Sequence, residues 1–462
     1  MLGALRAGTA IAAALVAWCA VPHDARACGG CFHGPPTPAE VPTVVTDHRM
    51  ILTIGQQEST LWDQIEYSGE PSSFAWVLPI KGTVRTGLSA NSLFTNLDQL
   101  TARTIFPTGT GCPQPPTPEP SACACSSVAD AQSAIGGVGF DSGVDVTERA
   151  VVGPYETVQL KASDANALET WLAKNGFVIP QDVKPVVDAY VAEKFDFLAL
   201  KLLPGKEVKD MRPVRVTTPG ANVVLPLRMV AAGTGPTVGI TLWVLGDGRY
   251  EPQNFPSFRI LDDELVWDWG QGRSNYTELR AAKTQAAGGR GWEIEASTAS
   301  MVGALSRSIG SGVNGDYDAD PSTGKSASVV HDEDLAALVA EEPFGTLRIT
   351  RMRADLSHAA LAADLVMTAS ADQSEISSER VVSKDSGQPL CAAYSGQTYL
   401  GMLPRDQARA YADRSSAHER FSCGTARGTR SSLWVGGVMA VIAAAVLRRR
   451  GRSRVVRPRR HR

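Results

Sequence analysis

The sequence predicts an α+β fold with predominantly antiparallel β-sheets and a few helices. Three observations lead there. Short runs rich in β-branched and aromatic residues recur along the chain, bounded by Gly, Pro or polar clusters, as in Phe74-Ala75-Trp76-Val77-Leu78-Pro79-Ile80. Helical periodicity is confined to a few segments, two of them back to back between residues 163 and 194. Between residues 214 and 245 apolar runs follow one another with only Gly-containing turns between them.

Taken in order, Val44 to Ile54 reads as an extended segment with Val45, Met50, Leu52 and Ile54 partly alternating, and Leu61 to Tyr67 follows it. Phe74 to Ile80 is a buried strand by content, and Asn91 to Thr101 reads as a helix. Residues 107–143 are rich in Pro, Gly and Ser and read as a long loop or insert. Val151 to Leu160 is a strand. Ser163 then caps a helix over Asp164 to Asn175, with Leu168, Trp171 and Leu172 on one face and Gly176 as the stop. A second helix covers Asp182 to Lys194. Strands follow at Phe195–Leu203, Val214–Thr218, Val223–Val230 and Thr237–Leu245. Beyond Pro256 the pattern predicts strands near Val266–Trp269, Trp292–Ala296 and Thr346–Arg353, and helices near Tyr276–Ala287 and Asp332–Glu341. Trp76-Val77-Leu78-Pro79 resembles Val223-Val224-Leu225-Pro226; two related halves are an open reading, since four residues do not establish a repeat.

These elements suggest a first β-rich region over residues 28–250, carrying the insert near 107–143 and the helical pair near 163–194, and a second α+β region over 251–400. Residues 401–430 read as a linker. The ends read as targeting segments. A basic start, an apolar run from Ala10 to Val21 and Ala25-Arg26-Ala27 before Cys28 make residues 1–27 a secretory signal. Leu433 to Leu447 carries no charge and nine arginines follow it, so 431–448 reads as a single transmembrane helix and 449–462 as a basic cytoplasmic tail. The expected location is the cell envelope, body outside and tail inside, with the membrane and the export machinery as partners.

The formal net charge of −3 hides an asymmetry. The nine tail arginines and the net +1 of residues 1–27 together supply ten positive charges, so the exported body carries −13. An acidic body argues against nucleic acid as a partner. Partners among other proteins or glycans are left open.

Beyond Cys19 in the signal there are seven cysteines, an odd number for an oxidising compartment. Setting Cys423 aside as lying just before the anchor leaves Cys28, Cys31, Cys112, Cys123, Cys125 and Cys391, three disulfides with fifteen connectivities. Cys28-Gly29-Gly30-Cys31 also fits a redox pair, but thioredoxin-like chemistry places such a motif at a helix start after a strand, and this one stands at a mature N-terminus.

Other chemistry is thin, and no cofactor is expected. Gly310-Ser311-Gly312-Val313-Asn314-Gly315 matches the dinucleotide pattern in letters but is followed by a polar loop rather than a helix. Asp316, Asp318 and Asp320 alternate like the start of a calcium loop, yet Pro321 stands where the turn glycine belongs and Ala327 where the closing acid belongs. Their alternative is a solvated acidic loop. The body's histidines, His33, His48, His331, His358 and His418, show no ligand spacing. Trp267 and Trp269 fall on one face of a strand, which suits a sugar platform or, more simply, a core face. No catalytic residue is assigned.

Several segments occur in an order that resembles the bacterial family called domain of unknown function 2330: Cys28-Gly29-Gly30, Phe74 to Pro79, Trp171-Leu172 with Asn175-Gly176, Phe195 to Leu202, and Thr350-Arg351-Met352-Arg353 with Asp364-Leu365. The resemblance covers Cys28 to about Thr368. It implies a shared fold and export, and brings no catalytic residues. The end of the chain resembles the myxobacterial C-terminal sorting tail: Cys423-Gly424, a spacer, the apolar stretch and the Arg cluster. That resemblance implies processing near Cys423, lipid on its thiol, display at the cell surface and a sorting machinery as a further partner. The chain departs from it by continuing to Arg462. The function expected from all this is an envelope-anchored binding or structural module of unknown biochemical activity, with an extracytoplasmic hydrolase, its acids assembled only in the fold, as the alternative.

Overall fold

The computed structural model describes residues 31–32, 44–68, 75–114, 150–161, 167–177, 179, 183–207, 210–231, 234–299, 307, 317–320, 322–339 and 347–422. The chain divides into two compact units. Met1–Thr110 and Ala124–Gln388 form the larger, Gly111–Cys123 and Pro389–Arg462 the smaller.

An eight-stranded sheet organises the larger unit. Its order is β14 (Ser257–Phe258), β17 (Trp292–Thr298), β18 (Arg348–Ser357), β12 (Thr234–Gly246), β2 (Val44–Ile54), β3 (Glu58–Ser68), β10 (Val214–Pro219) and β5 (Arg85–Leu88). Neighbours are antiparallel except β12 with β2 and β14 with β17. Side-chain alternation sends Met50, Leu52, Leu242, Val244 and Met352 into one core. Ile51, Trp62, Trp243 and Leu245 go to the other face, where α1 (Asn91–Thr101) lays Leu93, Phe94 and Leu97 on them. Both faces are therefore covered at the centre, which is why these strands read as nearly continuous apolar runs.

A second sheet has the order β1 (Cys31–Phe32), β4 (Ala75–Ile80), β9 (Asp196–Leu202), β8 (Tyr155–Leu160) and β7 (Ala150–Val152), all antiparallel. Ala75, Val77, Phe197 and Ala199 face α2 (Ala167–Lys174) and α3 (Lys184–Ala192), through Trp171, Leu172, Val187 and Tyr190. Trp76, Leu78, Leu198 and Leu200 face Val214 and Val216 of the first sheet. Smaller ladders complete the unit: β11 (Val224–Leu225), β19 (Leu365–Ala369) and β13 (Tyr250–Pro252); β16 (Arg273–Ser274), β15 (Val266–Asp268) and β21 (Lys384–Ser386); and β20 (Glu379–Val381) parallel to β6 (Thr104–Phe106). α4 (Leu227–Val230), α5 (Tyr276–Ala286) and α6 (Ala327–Val339) pack against these layers.

The α+β class with mostly antiparallel sheets is what the structure has. Four expectations differ. Residues 28–250 and 251–400 are not separate regions here, because β17 and β18 lie in the same sheet as β2, β3 and β10. The segment 151–160 is two strands: Gly153 turns between β7 and β8 with φ +55°, a conformation open to glycine. Val223–Val230 is a two-residue strand followed by α4, since Pro226 has no N–H to continue a ladder. The two similar four-residue segments accordingly have unlike settings, one in a central strand and one at a strand-to-helix turn, so they mark no repeat of structure.

The smaller unit is a hairpin of β22 (Leu390–Ser395) and β23 (Thr398–Pro404) with α7 (Arg405–Ser422) on one side. Residues 401–430 thus include strand and helix in place of the expected linker. A two-stranded hairpin is marginal alone. Here Cys112 and Cys391 are joined by a disulfide, Cα–Cα 5.4 Å, across a separation of 279 residues. With the larger unit folded, the effective loop is far shorter, because Val382 N–H donates to Phe106 C=O at 3.0 Å. Cys112 lies six residues after Phe106 and Cys391 nine after Val382, a ring of about 15 residues, for which cross-linking is worth about 3 kcal/mol. Cys112→Ser with Cys391→Ser is expected to leave the main melting transition in place while limited proteolysis cuts within residues 389–422. Equal protease resistance with and without the bridge would contradict that stapling role.

Among the described residues no helix is long and apolar enough to cross a membrane. The signal expected over residues 1–27, the transmembrane helix expected over 431–448 and the tail expected over 449–462 lie outside the described residues.

Candidate functional site

The densest chemistry sits on β17, Trp292-Glu293-Ile294-Glu295-Ala296-Ser297-Thr298, buried at every position. Trp292 and Ile294 belong to the sheet's core. Opposite them the register slips: Ile294 pairs with Met352 and Ala296 with Arg351, which leaves Glu295 as the extra residue of a bulge. Glu293 and Glu295 are each only 2% exposed. Ionised carboxylates at such depth require charged partners, and distant segments deliver them. Glu295 accepts from Arg351 Nε at 2.6 Å and from Arg103 Nη1 at 2.8 Å. Glu293 accepts from the Tyr276 hydroxyl, which also reaches Glu295 at 3.4 Å. Arg280 stands 3.7 Å from Glu293 and also pairs with Asp355. Arg351 continues to Asp98 at 2.6 Å. The Arg103 guanidinium lies 3.3 Å from the centroid of the Tyr276 ring, a cation–π contact.

The two glutamates differ in their share of cations. Glu295 holds two arginines at bonding distance, whereas Glu293 has a phenol and a more distant guanidinium. Burial, followed by the neighbouring Glu295 charge, raises the Glu293 carboxyl to about 7; the Tyr276 bond and the Arg103 and Arg280 charges only partly oppose this. Burial and both carboxylates push the Tyr276 phenol far above its ordinary range, so it remains a donor. Glu293 can hold or release a proton near neutrality. Its burial keeps a substrate away.

A second buried network centres on Asp334 of α6, fully buried. It accepts from Trp62 Nε1 at 3.0 Å, Arg215 Nη1 at 2.7 Å, the Tyr317 hydroxyl at 3.0 Å and the Ser89 hydroxyl. Arg215 also pairs with Glu333 at 2.7 Å. This ties α6 to β3 and β10. Elsewhere, His48 is fully buried with Nδ1 3.4 Å from Asp63, and its Nε2 has no partner among the described residues. Asp63 borders a cavity of about 20 Å³ with Trp76, Leu225 and Met229, room for a single water.

The candidates named from sequence fall out as follows. Cys112 pairs with Cys391. Cys31 lies on β1, opposite Trp76. Cys28, Cys123, Cys125 and Cys423 lie outside the described residues, as do Asp316 and residues 310–315. Asp318 forms an ion pair with Arg212. Asp320 caps its own turn, accepting from Ser322 N at 3.0 Å, Thr323 Oγ1 at 2.8 Å and Gly153 N at 3.3 Å. Burial pushes its carboxyl up, but those bonds outweigh it and hold it below the ordinary value. The two described aspartates of the supposed calcium loop are thus engaged by protein donors. No cluster of metal-ligating residues occurs among the described residues. Trp267 packs against the small core around Leu265, and Trp269, in the turn after β15, meets it edge to face at 6.0 Å and donates to Asp385 at 2.8 Å.

A family model described as "Uncharacterized protein conserved in bacteria (DUF2330)" matches residues 22–307. The chain belongs to the DUF2330 family. The DUF2330 match includes Tyr276, Glu293 and Glu295, while Arg351, Asp334 and the disulfide-bonded unit lie wholly or partly beyond it. No curated protein matches this DUF2330 chain. Among solved structures, the crystal structure of baculovirus P35 aligns with 46% of this chain and 67% of its own, at 10% identity and a TM-score of 0.25, too low to inform the fold.

Proposed function

We propose that the chain is an exported, membrane-anchored cell-envelope protein whose body serves as a binding or structural module. The observation that carries this reading is the sealed state of Glu293 and Glu295. The fold gathers two acids, yet spends their oxygens on Tyr276, Arg103 and Arg351 instead of presenting them to a substrate. The signal-like first 27 residues, the uncharged Leu433–Leu447 run and the arginines after it supply the address. Cys423 is the position at which sorting or lipidation would act.

Fractionation of cells making the full chain tests the reading. The mature protein is expected in the envelope fraction, released by detergent and not by high salt, and deletion of residues 431–462 is expected to release the body in soluble form outside the cytoplasm. A full chain that stays in the cytoplasm with residues 1–27 intact would overturn it.

A second reading, an extracytoplasmic hydrolase, draws on the raised proton affinity of Glu293, a feature shared with general acids. It requires an opening that exposes Glu293. Hydrolytic turnover unchanged by Glu293→Gln would eliminate it.

A further inference from the structure

Among the described residues, the hairpin of the smaller unit is covered by α7 on one side. α7 packs Ala408 onto Cys391 and Ala393. The strands leave Leu390 61%, Tyr399 55%, Met402 53% and Leu400 43% exposed. Tyr394 stands across from Tyr399, ring centroids 5.5 Å apart. Exposed apolar side chains gathered on one small hairpin mark a contact surface.

We propose that this hairpin face rests in the headgroup region of the bilayer into which the C-terminal apolar run inserts. The inference rests on the anchored reading and adds to it a surface and a partner, lipid. Three features favour lipid. The first is reach. α7 ends at Ser422 and the apolar run begins at Leu433, eleven residues on, a leash of at most about 40 Å. The second is side-chain type. Tyr394 and Tyr399 carry apolar rings with a polar tip, the chemistry enriched at membrane–water interfaces, beside Leu and Met that gain by leaving water. The third is charge. Residues 423–430, which lead from α7 to the apolar run, hold two arginines and no acid, a net +2, in a body that otherwise carries −15. A basic segment attached to an acidic body is drawn to anionic headgroups and turns the rest of the molecule away from them.

The test uses the full chain in vesicles of phosphatidylethanolamine and phosphatidylglycerol, with a photo-crosslinking residue introduced as Met402→p-benzoylphenylalanine. The control is Ala410→p-benzoylphenylalanine, exposed on α7 two residues round from buried Ala408. Co-flotation of the chain with vesicles reports the anchor by itself. Given flotation, mass spectrometry is expected to find at least about five-fold more lipid adduct at 402 than at 410. Equal adducts at the two positions, or a crosslink from 402 to residues 433–447 or to a second copy, overturns the proposal while leaving the anchor intact. A chain that does not float refutes the anchor, and the proposal falls with it.

Discussion

Replacing Asp334 by alanine is expected to lower the unfolding free energy by about 3–5 kcal/mol, the range for stripping one partner from a buried ion pair. The carboxylate is fully buried and serves four donors at once: an indole, a guanidinium, a phenol and a serine hydroxyl. Burial pushes its proton affinity up, and the Arg215 charge and the three neutral donors oppose that rise. Removing it strands Trp62 Nε1 and the Tyr317 hydroxyl in the interior and leaves Arg215 with Glu333 alone. Asp334→Asn keeps one acceptor oxygen without the charge and should fall between alanine and the parent. Urea denaturation followed by tryptophan fluorescence reads the effect directly, since Trp62 sits in the network. An alanine variant within about 1 kcal/mol of the parent would show that α6 is held by other contacts.

Stability is expected to decline as pH rises from about 4.5 to about 7, and Glu293→Gln is expected to flatten that decline. The folded protein keeps the Glu293 proton up to about 7, while the unfolded chain releases it near the ordinary value of 4.5. Between those values the folded state binds the extra proton, so the contribution is fully present below 4.5 and is lost as pH climbs through 7. The whole effect is on the order of 3 kcal/mol. Glutamine keeps an acceptor for Tyr276 and has no proton to lose. Urea midpoints at pH 5 and pH 8 for parent and variant decide the matter: a parent whose stability is equal at both would place the proton elsewhere.

Strands and helices with strong local signals are legible in the sequence. Asn91–Thr101 shows its buried stripe of Leu93, Phe94 and Leu97, and its bounds are those of α1. The glutamate pair is not legible. Trp-Glu-Ile-Glu alternates as a strand with one wet face would, and nothing local reveals that the second face is covered. The cations that make burial tolerable come from residues 103, 280 and 351, far apart in sequence. The Cys112–Cys391 pairing occurs in three of the fifteen schemes, and a separation of 279 residues leaves no local mark to select it. α7 reads as a linker because, among its described side chains, Ala408 is the buried one, and one buried alanine in residues 405–414 makes no stripe. Asp320 stands out in the sequence by its spacing, whereas its role depends on the turn that follows it.

The disulfide also decides how the molecule would bear load. β6 and β20 run parallel, Thr104 beside Glu379 and Phe106 beside Val381, and the chain leaves both at the same end. Tension entering from the C-terminal side crosses α7 and the hairpin and then reaches Cys391, ahead of β21 and β20. The bridge to Cys112 divides it, so that both strands are drawn together and neither slides past the other. With the bridge cut, the whole pull passes along the chain into β21 and then β20, and drags them against a stationary β15 and β6, shearing both ladders. Reduction would thus turn a shared mooring into a single line, and forced extension of the oxidised and reduced protein should differ at this first rupture.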